Sequence, residues 1–376
     1  MGHARRGAVP DAGLHVLGVP AGPEARCRAG QHRADAARDR ALHPAHAGVL
    51  RGLRAARRTG GGGGVRRLGP LLLSLLLALP GAPRAQEVPV LRVGVREDAK
   101  PFSYRLPSGP ASDWDGPLHR QGYSGYVVRL CDGTLVDVQR RHRFTVEAVP
   151  ITARTRFDAL KAGGIDILCD PATITRTRLT DHLASPPVYL SGVTYARRVG
   201  EGGTGLKVGV VGNTTSQYDG IEAILRAGEW PQYREDLKKQ LYDLQHRSTA
   251  PCGSGDGCGD TGGIVLFDTH RDLAQAFCRG ELSYYVGDFE IVKAMLDDIG
   301  GCTWEDARET YTDERYAIFV SDAPERGALK LDFLQALSSK ILLSPSLLDE
   351  AFEATFPGAK ASRKLRIFFW TMRGER

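Results

Sequence analysis

The sequence predicts an α/β fold made of two similar units, and three observations carry that prediction. From Val90 onward, apolar runs of strand length alternate with amphipathic stretches of helical length. The series strand, polar turn, helix, then helix, Gly, strand, Asp occurs twice, closing on Asp170 and again on Asp288. Between the two, around Arg197–Thr204, charge and glycine interrupt the pattern.

Taken in order, Val90–Val95 is an apolar strand followed by a polar loop with Pro101-Phe102. A helix from about Tyr126 to Arg140 turns Val127, Leu130, Cys131, Leu135 and Val138 inward, and Phe144–Val149 is the next strand. Arg156–Gly164 reads as a short helix with a Gly-Gly stop. Ile165, Ile167 and Leu168 form a strand, and an abrupt polar loop with Thr173, Thr175, Arg176 and Arg178 is expected directly after it. Ligands of open α/β sheets sit beyond the carboxyl ends of strands, and hydroxyls beside forked cations suit a carboxylate. Val188–Ala196, rich in β-branched and aromatic residues, completes a βαβαβ unit.

The second unit opens with the strand Leu206–Val211 and the turn Gly212-Asn213-Thr214-Thr215-Ser216. Helices follow over Tyr218–Ala227 and Tyr233–Leu244, then a Gly-rich loop over Ser248–Gly263. Ile264–Phe267 and Leu282–Val286 are strands, with a helix over Asp272–Gly280 between them and Gly287-Asp288 after the second. Ile291–Ile299 is helical, Tyr316–Val320 is a strand, and Gly327–Leu343 and Ser346–Phe356 are terminal helices. The tail, with Ile367, Phe368, Phe369 and Trp370 among basic residues, reads as a helix packing back on the first unit or, second, as a membrane-surface contact.

Of the 50 basic residues, fourteen arginines fall in the first 86 positions, with only four of the 44 acidic residues. The formal charge of +6 therefore belongs to the leader; the rest of the chain is mildly acidic, which argues against nucleic acid as a partner. Within the leader, Arg66 and Arg67 precede an apolar run from Leu68 to Leu79 and small residues to Ala85, the layout of a secretory signal over 65–86. Residues 1–64 are read as a misassigned or disordered extension, and both segments are set outside the fold. An exported chain uses cysteines as disulfides. Six remain after the leader, which allows fifteen pairings; element positions favour Cys131 with Cys169, Cys278 with Cys302, and Cys252 with Cys258. The alternative of a zinc site lacks a paired CxxC spacing.

Several segments together resemble the bacterial extracellular (periplasmic) solute-binding proteins of the amino-acid ABC-transporter class. The run Arg156-Phe157-x-Ala159-Leu160-x-x-Gly163-x-Ile165-Asp166-Ile167-Leu168 through Thr173-Ile174-Thr175-x-x-Arg178 is similar to that family's signature segment. Leu91-Arg92-Val93-Gly94-Val95, Gly125-Tyr126, Leu206-Lys207-Val208-Gly209-Val210 with Thr214-Thr215, Phe277 to Leu282 with Gly287-Asp288, and Leu347 to Phe352 follow in family order. The resemblance implies a two-lobed periplasmic-binding-protein type II fold, with two mixed, mainly parallel sheets joined by two crossover strands. Lobe 1 would be 88–195 plus 311–376, and lobe 2 would be 197–310. It also implies that Arg178, with Thr173, Thr214 and Thr215, holds a ligand carboxylate, that Asp288 meets its ammonium, and that a membrane ABC permease receives the ligand. No cofactor or metal is implied, and a monomeric periplasmic protein is expected.

Each residue has a plainer reading. Arg178 could be a solvated surface arginine or pair with Asp181, Asp288 could be a helix N-cap, and the threonines could satisfy turn backbone. Two positions depart from the family. Pro171 stands where a small residue is common, and Ala99 where many members place an aromatic, for which Phe102, Tyr104 and the Trp114/Tyr123 loop are candidate replacements. Pro171 leaves an organic acid open as ligand. Two other classes compete: an enzyme of the same fold, similar to cyclohexadienyl dehydratases, which needs a carboxylic acid in the cleft, and a ligand-sensing domain for a separate membrane chain. Asp98, Asp170 and Glu97 are isolated in sequence, and no Walker A, HExxH or GxSxG run is present.

Overall fold

The computed structural model describes residues 88–107, 114–200, 206–246, 263–307, 309–344 and 346–373. Two sheets repeat one plan. In the first, Val90–Arg96 lies parallel to both Thr145–Ile151 and Ile167–Thr173, and Glu314–Val320 returns antiparallel beside the latter. In the second, Lys207–Val211 lies parallel to both Gly263–Phe267 and Tyr284–Asp288, and Val193–Arg198 returns antiparallel beside Tyr284–Asp288. Short edge strands complete each sheet, and a small three-stranded sheet carries Asp98–Ala99, Ser103–Arg105 and Tyr123–Ser124. This is the two-lobed, mixed α/β fold that the sequence implies.

The parallel strands read as continuous apolar runs because helices cover both faces. Tyr126–Gln139 packs with Gly327–Leu343 and Leu347–Thr355 in the first lobe, and His270–Cys278 packs with Phe289–Ile299 in the second. A ring of aromatics fills the first core: Phe102, fully buried, meets Tyr126, Tyr189, Tyr316 and Phe356 edge-on. Truncating such a ring costs about 3–5 kcal/mol. Cys131–Cys169 ties the first long helix to the strand Ile167–Thr173, and Cys278–Cys302 closes the second unit. Cys252 and Cys258, the signal segment and the extension lie outside the described residues.

The chain passes between the sheets twice. It leaves the first at Gly192, between Tyr189–Ser191 and Val193–Arg198, and comes back after Trp304–Asp306 into Glu314–Val320. These crossings are bonded to one another: the Val193 amide donates to Thr312 Oγ1 at 3.0 Å and the Tyr311 amide to the Val193 carbonyl at 2.8 Å. Gly192 permits the contact, since a Cβ there would stand 2.4 Å from the Thr312 carbonyl oxygen.

One element differs from the sequence reading. The strand expected to stop at Leu168 runs on to Thr173, and all seven of its residues are buried. Pairing supplies the reason. Ala172 and Thr173 face Ala317 and Tyr316 of the returning strand, and the register shifts between Ala317 and Phe319. A bulge of this kind accommodates Pro171, which has no amide to donate. The C-terminal Arg363–Met372 forms a helix that seats Leu365, Phe368 and Phe369 beneath it and leaves Ile367 and Trp370 exposed. Among the described residues no helix is long and apolar enough to cross a membrane.

Candidate functional site

The carboxyl ends of Ile167–Thr173 and Tyr284–Asp288 meet along a polar seam between the lobes. Thr173 closes the first strand. Its hydroxyl lies 3.3 Å from that of Thr215, whose own proton goes to Glu314 Oε2 at 2.9 Å, so Thr173 is the donor between the two. Glu314 is buried, and its other oxygen accepts from Thr312 at 2.8 Å.

Arg178 comes back over this seam. The helix Arg176–Asp181 is started by Thr175, whose side chain accepts from the Arg178 amide, and the Arg178 guanidinium then donates to the Thr173 carbonyl at 2.7 Å while lying over the Phe157 ring. Asp181 pairs with Lys161, not with Arg178. Burial and the neighbouring Arg156 push the Arg178 guanidinium down to about 9, with Asp170, Glu314 and Asp288 acting the other way. A cation in this state gains from an incoming carboxylate.

Asp288 stands at the N-terminus of Phe289–Ile299 but makes no capping bond with its side chain. It faces Ser216 Oγ at 3.5 Å, while the buried Tyr316 hydroxyl has no hydrogen-bond partner. Burial first, then Glu314, pushes its carboxyl up to about 7. Glu290, two residues on, accepts from Tyr189 at 3.1 Å and from Ser191, and burial raises it as well.

The seam continues toward the small sheet. Arg156 and Asp170, both buried, form an ion pair, and Asp170 Oδ1 is left without a hydrogen-bond partner. Arg96 pairs with Asp98 at 2.7 Å, and Asp98 accepts from the His270 amide of the other lobe at 2.8 Å. The His270 ring, against the Tyr285 hydroxyl at 2.9 Å, is pushed by burial down to about 4 and is neutral. At the rim, Lys100–Asp298 and Arg154–Asp268 bridge the lobes.

The structure therefore brings together Thr173, Arg178, Thr215 and Asp288. Thr214 sits beside them but bonds the Val211 carbonyl at 2.7 Å and accepts from the Gln217 amide, which is turn work. Phe102 departs from expectation: its ring is enclosed in the aromatic core and is not presented to the seam. Among the other aromatics weighed, Trp114 bonds Asp132 and Tyr123 is buried beside Arg105. Arg176 is exposed. Sequence reasoning missed Glu314, Ser216 and Glu290, and left Asp170 aside. A carboxylate heading the returning strand was the available signal for Glu314; only the fold sets it against Thr215. Among the described residues no group of three His, Cys, Asp or Glu is placed to hold a metal.

Residues 91–251 match the family described as bacterial extracellular solute-binding proteins, family 3. Among solved structures, the chain is similar to the arginine-, lysine-, histidine-binding protein ArtJ from the thermophilic bacterium Geobacillus stearothermophilus, at 16% identity and a TM-score of 0.50, covering 73% of this chain and 99% of that one. An ancestral arginine-binding protein bound to arginine matches at 19% identity and TM-score 0.48, covering 71% and 98%. An ancestral amino acid-binding protein described as a precursor of cyclohexadienyl dehydratase matches at 19% and 0.48, covering 71% and 95%. No curated protein matches. At these identities the ArtJ likeness speaks to the fold alone. The likeness to the bacterial extracellular solute-binding proteins, family 3, thus spans residues 91–251, from the first strand of the first sheet into the second sheet.

Proposed function

We propose that the protein captures an amino acid between its lobes outside the cytoplasmic membrane and delivers it, as a monomer, to a separate ABC permease. The observation that supports this most is Arg178 and Asp288 on opposite sides of the Thr173–Thr215–Ser216 seam. Neither is engaged in an ion pair among the described residues. A guanidinium that lacks a carboxylate and a carboxylate that lacks a cation form the complement of a zwitterion, and a ligand touching both would hold the lobes together. The solute-binding family and the amino-acid-binding proteins among the similar structures agree with this reading. The leader's apolar run agrees with export.

A thermal-shift screen of the chain against amino acids, small organic acids and prephenate, with Arg178→Ala alongside, tests it. A ligand that binds only the folded form raises Tm as its concentration passes Kd. Stabilisation by an amino acid in the wild type, absent in Arg178→Ala, supports the clamp; stabilisation by organic acids alone rejects the ammonium role of Asp288. One observation favours a second reading: Asp288, at about 7, is a carboxylic acid able to donate a proton in the cleft, as a dehydratase requires. Consumption of prephenate that Asp288→Asn abolishes would establish that enzyme in place of the carrier.

A further inference from the structure

The C-terminal helix Arg363–Met372 sorts its residues by position around the axis. Leu365, Phe368 and Phe369 are turned into the body, where the Phe369 ring meets Tyr189 and Phe352 edge-on at 6.2 and 6.1 Å. On the flanks Lys364 pairs with Asp313 and Arg373 with Asp349, so the helix is held along both sides. Arg363, Arg366, Ile367 and Trp370 then share an arc of about 100° on the outer face. That arc is open: Ile367 is 52% and Trp370 67% exposed, and the four residues together line one shallow groove.

Neither the charge nor the apolar area of this arc serves the fold. Among the described residues Arg363 and Arg366 have no ion pair, whereas Lys364 and Arg373 do, and no acidic residue occurs between Lys360 and Arg373. Two bulky apolar groups one turn apart, framed by unpaired guanidinium groups, form a patch that calls for a partner both anionic and apolar. An acidic protein surface would answer the arginines and leave Trp370 without an apolar bed. A second copy set face to face would bring the same arginines together. A lipid surface meets all four residues at once. Trp suits the boundary between headgroups and acyl chains, and arginine lays its stem on apolar surface while its head reaches a phosphate. With no helix among the described residues long and apolar enough to cross a membrane, this one would lie on the surface.

We infer that the outer face of Arg363–Met372 docks the protein on a membrane bearing anionic phospholipid headgroups, with Ile367 and Trp370 entering the boundary and Arg363 and Arg366 on the phosphates. Two cations and two apolar side chains make the contact weak, reversible and salt-sensitive. The helix packs on Tyr189 of the first lobe, so the second lobe is not held by it. In an exported protein the contact keeps the first lobe at the membrane, whatever the cleft binds.

Tryptophan quenching of the full chain by vesicles whose phosphatidylcholine is brominated in the acyl chains tests this. The basic leader contains no tryptophan, so the signal lost in Trp370→Phe reports this helix alone. Vesicles of about three parts phosphatidylcholine to one of phosphatidylglycerol are expected to quench that component, and about 0.5 M NaCl is expected to abolish the effect. Arg363→Gln combined with Arg366→Gln should raise the lipid needed for half quenching about tenfold or more. Both positions are exposed, so the variant keeps its fold. Equal quenching in wild type and Trp370→Phe, equal quenching by phosphatidylcholine alone, or indifference to the arginine pair overturns the inference. So does a response of Trp370 to poly-L-glutamate and not to vesicles, which assigns the face to an acidic protein. A lipid-free dimer in sedimentation that Ile367→Ser dissolves assigns it to a second copy and overturns it as well.

Discussion

Arg178 reaches back five residues to donate to the Thr173 carbonyl at 2.7 Å, so the guanidinium is fixed at the end of the strand that carries Asp170 and beside the Thr173–Thr215 contact between lobes. The bond is to a neutral acceptor, and the charge itself is left for something else.

Replacing that charge should separate binding from folding. Arg178→Ala is expected to weaken amino-acid binding about a hundredfold, the loss of charge-assisted bonds to a carboxylate. The ligand-free protein should be as stable as wild type or slightly more so, since the cation is desolvated beside Arg156. Titration and denaturant melts read the two quantities.

The pH dependence follows from two groups with opposite signs. Asp288 has its pKa raised by folding, from 3.8 to about 7, so the folded chain keeps a proton that the unfolded chain loses; its contribution is complete below about 4 and disappears as pH rises through about 7. His270 has its pKa lowered from 6.5 to about 4, so stability is lost as pH falls through that interval. The slopes oppose one another up to about 6.5, and above that Asp288 acts without His270. Between about pH 6 and 8 the ligand-free protein should lose about 1.4 kcal/mol through Asp288, and Asp288→Asn should remove that loss. Ligand affinity should rise over the same interval, because the ammonium requires the ionised form.

The Cys131–Cys169 bridge spans 38 residues and anchors the first long helix to the strand bearing Asp170 and Thr173. Replacing both cysteines by alanine should cost about 4 kcal/mol by loop entropy, read in a denaturant melt, and should weaken ligand binding because the strand end is less firmly placed.

Gly192→Ala places a methyl group against the Thr312 carbonyl where the two crossings touch. A cost of about 1–3 kcal/mol is expected. Affinity should fall as well, since the lobes are joined at this contact; a melt and a titration of the same preparation check both.

Much of this architecture was legible in sequence because local pattern and tertiary role coincide. The apolar runs at Val90–Arg96 and Lys207–Val211 are buried parallel strands, the Tyr126–Gln139 helix shows its inner face at helical spacing, and the observed disulfides join cysteines of the same unit. Arg178 and Asp288 were legible through motif order. What escaped depends on contacts far apart in the chain. The strand persists through Pro171 because Glu314–Val320 pairs with it, Phe102 is enclosed by rings from four other segments, and Glu314 belongs to the seam through Thr215, 99 residues away. No spacing rule in the sequence encodes those neighbours.

The most direct test of the clamp is a crystal structure of the chain with the amino acid that binds it most tightly. The account predicts the ligand carboxylate within about 3 Å of the Arg178 guanidinium and its ammonium within about 3 Å of the Asp288 carboxylate. A ligand seated elsewhere, for instance against the exposed Ile367 and Trp370, or one that leaves either Arg178 or Asp288 untouched, would contradict it.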